Sequence, residues 1–471
     1  MMGLLDRAGG ELTPRAEDAE ILIVNTCSFI ESAKQESVDA ILDMARHKRS
    51  NGGKARRLIV AGCLVERYRD EIRRNIPEVD AVVGTGELEA ILEAAGLTSP
   101  SDPTLPTSPF NILVARAPSA DHQHSRPEGD LRESKGRFSR EQWDGAASTL
   151  PDYLYNDQTP RILTTPRASA YIKIAEGCDH PCGFCIIPQL RGKFRSRPIA
   201  SILAEAQNLI VQGVREITLI GQDTTCYGED LGLKDGLATL LDALAPLPGL
   251  RWLRFLYAYP NKVTTRLLET IARHATIAKY LDVPLQHASP SVLKRMKRGG
   301  TPEVFLRLIA KARAIVPGIV LRSTFIVGYP GETAEDFAQL ESFITAAQID
   351  WLGVFSYSDE EGAAAFSLDA SLKVPKRTIE ARRRRLMKRQ QKISAKAKAA
   401  WVGHEVELLV EGESDETELL WEGRTLSHAP EIDGKVYIND FGPHETLVPG
   451  TFYRAEITES HEYDVVARIL D

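Results

Sequence analysis

Three of the six cysteines in this 471-residue chain fall within eight residues: Cys178, Cys182 and Cys185, inside "EGCDHPCGFCIIPQLRGKFRSRP" (residues 176–198). Thiolates are soft ligands, and three on a loop built from His180, Pro181 and Gly183 can converge on one metal centre. A closed structural zinc site takes four ligands, and a loop this tight is poorly suited to wrap a tetrahedral ion with only His180 added. A cuboidal iron–sulfur cluster normally takes four thiolates as well. Three protein thiolates leave one iron open to a substrate or cofactor, by the logic that separates catalytic from structural zinc.

The chain has no apolar run near the roughly 18 residues that span a bilayer, and it does not begin with a basic segment followed by an apolar one. It therefore reads as a cytoplasmic protein with no membrane partner, in which clustered thiols are ligands or catalysts rather than disulfides. Hydrophobic residues at 43% and charged residues at 26% suit a soluble globular protein of several domains. The net charge of −7 argues against a chain that coats nucleic acid over its whole surface.

The elements that must position the thiols follow a βα rhythm. Residues 1–97 predict a small parallel α/β domain, because "ILIVNTC" and "RLIVAGC" are buried-strand patterns ending at Cys27 and Cys63, each followed by a helical stretch. Residues 98–159, with "TSPSDPTLPTSP" and a long polar stretch, read as a linker or insertion, disordered in large part. Residues 160–396 alternate six strand-like runs with helices, which predicts a partial (βα)6 barrel carrying the thiol loop after its first strand. The basic helix 376–398 has eleven Lys or Arg against one Glu, and Ile379, Leu386 and Ile393 mark one apolar seam. Residues 397–471 predict an all-β barrel.

CxxxCxxC after the first strand of a (βα)-repeat domain resembles the radical S-adenosylmethionine (SAM) signature. With "IVNTC", "AGCL", "LIGQDTTCYG", "DVPLQHASPSVLKRMKRG" and "FIVGYPGETAEDF", the chain is similar to the methylthiotransferase family over nearly its whole length, the insertion excepted. "QDTT", "PLQHAS" and "GVFSYSDEEG" are closest to the branch that adds a methylthio group to the β-carbon of an aspartate in small-subunit ribosomal protein S-twelve. The resemblance implies SAM and two 4Fe-4S clusters, one radical-generating and one auxiliary, with a low-potential electron donor as partner.

By this resemblance Cys178, Cys182 and Cys185 hold the first cluster, and Cys27 and Cys63 supply two of three ligands to the auxiliary one. The family opens with a strand and a glycine–cysteine motif that this chain lacks, so its start is expected upstream of Met1; Cys226 is a weak substitute. Phe184, Gln222, Asp223, Gln286, Arg322, Gly328 and Glu332 are expected around the SAM. Arg191, Lys193, Arg195 and Arg197 either steady its carboxylate or form a solvated basic strand. The family's C-terminal TRAM module binds RNA in many relatives, but here residues 399–471 hold 17 acidic residues against four basic ones. That favours a basic protein substrate over transfer RNA. The basic helix pulls the other way; it either faces ribosomal RNA or is a solvated connector.

Overall fold

The computed structural model describes residues 1–97, 110–116, 153–414 and 417–471, which group into two compact units. The first comprises Met1–Tyr153 with Ile186–Lys193, the second Leu154–Cys185 with Phe194–Asp471.

In the first unit the chain runs α1 (Met2–Arg7), β1 (Gly10–Leu12), β2 (Ile21–Thr26), α2 (Glu31–Ala45), β3 (Arg57–Gly62), α3 (Cys63–Asn75), β4 (Ala81–Val83), α4 (Ala90–Ala95) and β5 (Phe110–Arg116). The strands form one sheet in the order β1-β5-β2-β3-β4, and every pairing is parallel. Leu22, Val24, Leu58 and Val60 face one core with Ile41 and Val65, while Ile21, Ile23, Ile59 and Ala61 face another with Leu5 and Ile91. Burial on both faces explains why these strands read as unbroken apolar runs.

β5 corrects the expectation of an unstructured linker. "FNILVAR" pairs in parallel with both β1 and β2, in the second position of the sheet. A doubly covered strand such as β2 needs ladder partners on both edges, because buried backbone amides without them are costly. Residues 153–159, the end of the expected insertion, are also described; its other residues lie outside the described ones.

The second unit holds β6 (Ser169–Lys173), β7 (Ala175–Glu176), β8 (Arg195–Ser196), α6 (Ile199–Val211), β9 (Glu216–Ile220), α7 (Gly236–Leu244), β10 (Trp252–Phe255), α8 (Thr265–Arg273), β11 (Tyr280–Asp282), α9 (Pro290–Arg295), α10 (Pro302–Ile315), β12 (Val320–Val327), α11 (Ala334–Ala347), β13 (Trp351–Ser356) and α12 (Lys376–Ala399); α5 (Ile187–Arg191) belongs to the first unit. Two parallel ladders, β10-β9-β6 and β11-β12-β13, are joined by a bridge between Leu253 and Ile277. They carry the six strands of the expected partial barrel around one continuous apolar core. The helices start where the sequence signals them: Thr264, Thr301 and Thr333 each accept a backbone N–H at a helix start, and Thr333 with Asp336 forms a capping box.

A closed barrel follows, of β14 (Glu405–Ser414), β15 (Thr417–Thr425), β16 (Val436–Asp440), β17 (Phe452–Ser460) and β18 (Val465–Ile469). β15, "TELLWEGRT", is absent from the sequence reading because its glycine and charges mask the alternation; closure without exposed edges requires it.

This barrel docks on the end of the (βα) domain where strands β6, β9, β10, β11 and β13 begin. Glu216, fully buried, accepts from Arg424 (2.7 Å), Arg254 (3.4 Å) and Ser169 (2.7 Å), and Arg424 also reaches Glu411 (2.7 Å). Burial alone would push the Glu216 carboxyl up; the guanidiniums of Arg424 and Arg254 hold it down at about 2. Tyr280 donates to Asp433 (2.7 Å), and Trp351 donates to the carbonyl of Ser427 (3.1 Å). The α12 seam is less apolar than expected: Ile379 and Leu386 are joined in the interior by Gln390, Ser394 and Lys398. The Lys398 ammonium sits over the rings of Trp351 (3.6 Å) and Trp401 (4.3 Å).

Candidate active site at the barrel rim

The opposite end of the (βα) domain, where the strands finish, gathers most of the residues singled out above. Cys178, Cys182 and Cys185 lie just beyond β7, none in a disulfide and all three partly exposed. The loop is held from several sides. The Gly183 N–H donates to the carbonyl of Met296 (2.8 Å), its carbonyl accepts from Ala365 (2.7 Å), and Cys185 N–H donates to Cys182 (3.1 Å). A Cβ at Gly183 would stand 2.7 Å from the Tyr329 hydroxyl and 3.2 Å from the Arg295 carbonyl, so only glycine fits between the second and third thiols. Arg298 donates to the Cys182 sulfur (3.4 Å). Burial pushes the Cys178 thiol up to about 11, and the nearby Asp223 carboxylate adds to this. A thiolate here needs a cationic partner, which a metal supplies.

Beside the thiols, Asp223 is almost fully buried and accepts from His180 Nε2 (2.6 Å), Thr225 Oγ1 (2.5 Å), the Thr225 N–H (2.8 Å) and the Cys226 thiol (3.1 Å). Burial would raise its pKa, but these donors hold it below the usual carboxylate range. The Cys226 thiol is raised, by burial first and then by Asp223. His180 stacks on Tyr259 with centroids 3.9 Å apart and planes 9° from parallel, and the Arg298 guanidinium lies over the Tyr259 ring, 4.5 Å from its centroid. Sequence reasoning passed over Tyr259 and Arg298. Arg298 lay inside a quoted motif, yet nothing local marks which of its basic residues turns toward the thiols.

The remaining candidates fall into place unequally. Gln222 follows β9, and its Oε1 is buried without a hydrogen-bond partner among the described residues. Gln286 adopts a left-handed backbone (φ 71°) that lets it bridge to Phe325. Phe184 packs with Met296 and Tyr329. Gly328 and Glu332 do meet, since the Glu332 carboxylate accepts the N–H groups of Gly328 and Tyr329 (3.2 Å) and pairs with Arg382 (2.9 Å). They brace the loop after β12. Arg322 is turned instead to Asp282 (3.0 Å) and Asp433 (3.5 Å), within the polar network that receives the C-terminal barrel. Arg197 matches neither reading of the basic tail: it is 1% exposed and bound to Glu205 (2.6 Å), Ser201 and the Lys173 carbonyl.

In the first unit, Thr26 lies opposite Gly62 in the β2–β3 ladder, so Cys27 and Cys63 leave neighbouring strands at one sheet edge. Cys27 is exposed and exchanges hydrogen bonds with Ser37 (3.0 Å each). Cys63 opens α3 and packs against Ile186 and Leu190.

The profile of the Radical SAM superfamily matches residues 172–344, that of "Uncharacterized protein family UPF0004" residues 1–84, and that of the TRAM domain residues 402–470. A protein of Koribacter versatilis named ribosomal protein uS12 methylthiotransferase RimO is 63% identical over all of this chain and 93% of its own length. The chain belongs to the RimO family of radical SAM methylthiotransferases. RimO proteins of Solibacter usitatus (52% identical, 91% of its length) and Trichlorobacter lovleyi (41%, 94%) also match from end to end. As a radical SAM enzyme of this family, the chain works with a 4Fe-4S cluster and SAM. The rim fits both groups: the loop carries three thiols that form no disulfide, and a buried acceptor nearby, Gln222 Oε1, has no donor among the described residues. Among the described residues no helix is long and apolar enough to cross a membrane.

Proposed function

We propose that this chain attaches a methylthio group to the β-carbon of an aspartate in ribosomal protein uS12. The observation that carries the reading is full-length kinship, at 63% identity, with a protein of that name, in a chain whose CxxxCxxC loop sits at the carboxyl rim of a six-stranded (βα) domain. Cys178, Cys182 and Cys185 would hold the radical-generating cluster; when bound, cluster and SAM together supply a 5′-deoxyadenosyl radical able to take hydrogen from an unactivated carbon. Arg298 donates to the Cys182 sulfur, and Tyr259 and His180 stack beside the loop. Gln222 offers its carbonyl to an amino or hydroxyl group of the cofactor, and the Gly328–Glu332 brace fixes the loop opposite. Such preset walls exclude water and hold the reacting carbon, which is the protein's share of a radical reaction.

Cys27 and Cys63 would hold an auxiliary cluster that delivers the sulfur. A low-potential electron carrier is needed to start each radical cycle, and the reaction belongs in the cytoplasm, where uS12 is made. The test is anaerobic incubation of the reconstituted chain with SAM, a strong reductant and uS12, followed by mass spectrometry of uS12 peptides and of digested transfer RNA. A methylthio group on a uS12 aspartate is expected; the group on transfer RNA instead, or on neither, defeats the reading. Iron analysis tests the second cluster: about eight irons per chain, falling to about four when Cys178, Cys182 and Cys185 become alanine, are expected, against about four and none with one cluster.

A further inference from the structure

α12 divides its cations into two classes. Toward its neighbours, Arg382 pairs with Glu332 and both Arg385 and Arg389 with Glu341, while Arg383 pairs with Glu380 within the helix. On the face opposite the buried row Ile379, Leu386, Gln390, Ser394 and Lys398 stand Arg377, Arg384, Lys388, Lys392 and Lys396, all exposed. Among the described residues none of these five makes a hydrogen bond or ion pair; Arg384 acts only through space, on a Glu380 already held by Arg383. At 1.5 Å per residue they form a stripe about 28 Å long. From Arg384 to Lys396 they recur every fourth residue, the spacing at which like charges repel and weaken a helix. The sequence gains nothing in stability from this arrangement. It also stands out against a chain of net charge −7 whose C-terminal residues 399–471 hold 17 acidic residues against four basic ones, so the stripe is a local exception rather than part of a general affinity for polyanions.

We propose that this stripe lies on phosphates of small-subunit ribosomal RNA, and that the enzyme thereby recognises uS12 within the assembled subunit; this rests on the reading of uS12 as substrate. A row of unpaired cations about 6 Å apart suits a polyphosphate backbone, and neutralising it relieves the repulsion along the helix. A basic protein such as isolated uS12 would be repelled by it. The stripe therefore selects the particle and leaves the chemistry at the rim alone.

The test compares the full chain with its Arg384→Glu/Lys388→Glu/Lys392→Glu variant and the corresponding triple glutamine variant. Binding to small subunits carrying unmodified uS12, and to small-subunit RNA stripped of protein, is measured from about 50 to 200 mM salt. Five phosphate contacts predict a log–log slope of about −3.5 for the parent on both. The glutamate variant is expected to lose at least about two units of slope and to bind at least about tenfold more weakly, with the glutamine variant between. Methylthiolation of subunit-bound uS12 should fall in parallel, while that of free uS12 should not fall. Unchanged binding by both variants overturns the proposal. So does parental binding to subunits but not to stripped RNA, which would assign the contact to ribosomal protein, and so does an equal loss of activity on free uS12. If the parent modifies uS12 in neither form, the substrate reading fails, and the two binding slopes still decide whether the stripe holds RNA.

Discussion

The two ends of the (βα) domain are built from the same strands and hold polar groups in opposite ways. Where the strands begin, Glu216, Arg254, Arg424, Tyr280 and Asp433 are buried together, and the central carboxylate has charge partners and a hydroxyl donor. Where they finish, three thiols on one loop form no disulfide, Gln222 Oε1 has no hydrogen-bond partner among the described residues, and burial pushes the Cys178 thiol up. One end is completed by the C-terminal barrel; the other is incomplete without something from outside the chain. In (βα) architectures chemistry sits at the carboxyl rim and the opposite face carries stability. Here the division shows in the kind of group held at each end: buried ion pairs, with Arg254 Nε and Nη1 left over, where the strands begin, and a loop of thiols where they finish.

The largest effect that would break this comparison belongs to the rim. Replacing Cys178, Cys182 and Cys185 with alanine should abolish 5′-deoxyadenosine formation, by more than about a thousandfold, with the thermal midpoint of the second unit little changed, because the thiols are partly exposed loop groups. A cooperative unfolding loss as large as the activity loss would mean that the rim, too, is structural. Next comes the seam. Arg424→Met leaves Glu216 buried with Arg254 as its remaining charge partner, 3.4 Å away, and should cost about 3–5 kcal/mol by chemical denaturation. Adding Glu216→Gln should restore at least half of it, since the penalty is a stranded charge rather than a lost attraction. A change below about 1 kcal/mol for Arg424→Met would show that water enters the seam and that the two ends are not so different.

The legibility of the two ends in the sequence follows the same division. The rim announces itself in local patterns: CxxxCxxC, GQD and GYPGE each lie within a few residues, and the six strands that present them are short apolar runs of the kind periodicity detects. The seam is made by residues far apart in sequence, such as Arg424 with Glu216 and Tyr280 with Asp433, and no single-sequence pattern links them. For that reason Arg322 read as a cofactor residue from its motif, although its partners are Asp282 and Asp433. Arg197 looked like one more cation of a basic tail for the same reason, yet it is the best-buried charge of that segment. β5 and β15 escaped notice because their need arises from the sheet or barrel they complete, not from their own composition.

A smaller effect sharpens the idea that the rim awaits a ligand. If Gln222 Oε1 is unpaired only until cofactor arrives, Gln222→Leu removes a desolvated acceptor from the empty protein and a contact from the loaded one. The two consequences have opposite signs. The cofactor-free chain should gain about 1 kcal/mol in stability, while SAM should bind about tenfold more weakly by equilibrium titration. Stability and affinity falling together would mean that Gln222 already has a partner in the empty protein and says nothing about a ligand.

The smallest effect concerns a proton. His287 is fully buried near the rim, its Nδ1 accepting the Ser289 N–H (2.9 Å), so the ring is neutral with its proton on Nε2. Burial lowers its pKa to about 3; Asp336 works against this and Arg295 and Arg382 with it. In the unfolded chain the ring titrates near the ordinary 6.5. The folded pKa is depressed, so the unfolded state binds more protons throughout the interval between the two values. The stabilisation is therefore fully present above about pH 6.5 and is lost progressively as the pH falls toward 3. From pH 7 to pH 6 the loss from this one ring amounts to about 0.7 kcal/mol. His287→Asn keeps an acceptor where Nδ1 stood and has nothing to protonate, so its stability should change less over that interval by the same amount. Parallel curves for parent and variant would place a charged imidazole in the folded protein, and with it an unsuspected anionic partner at the rim.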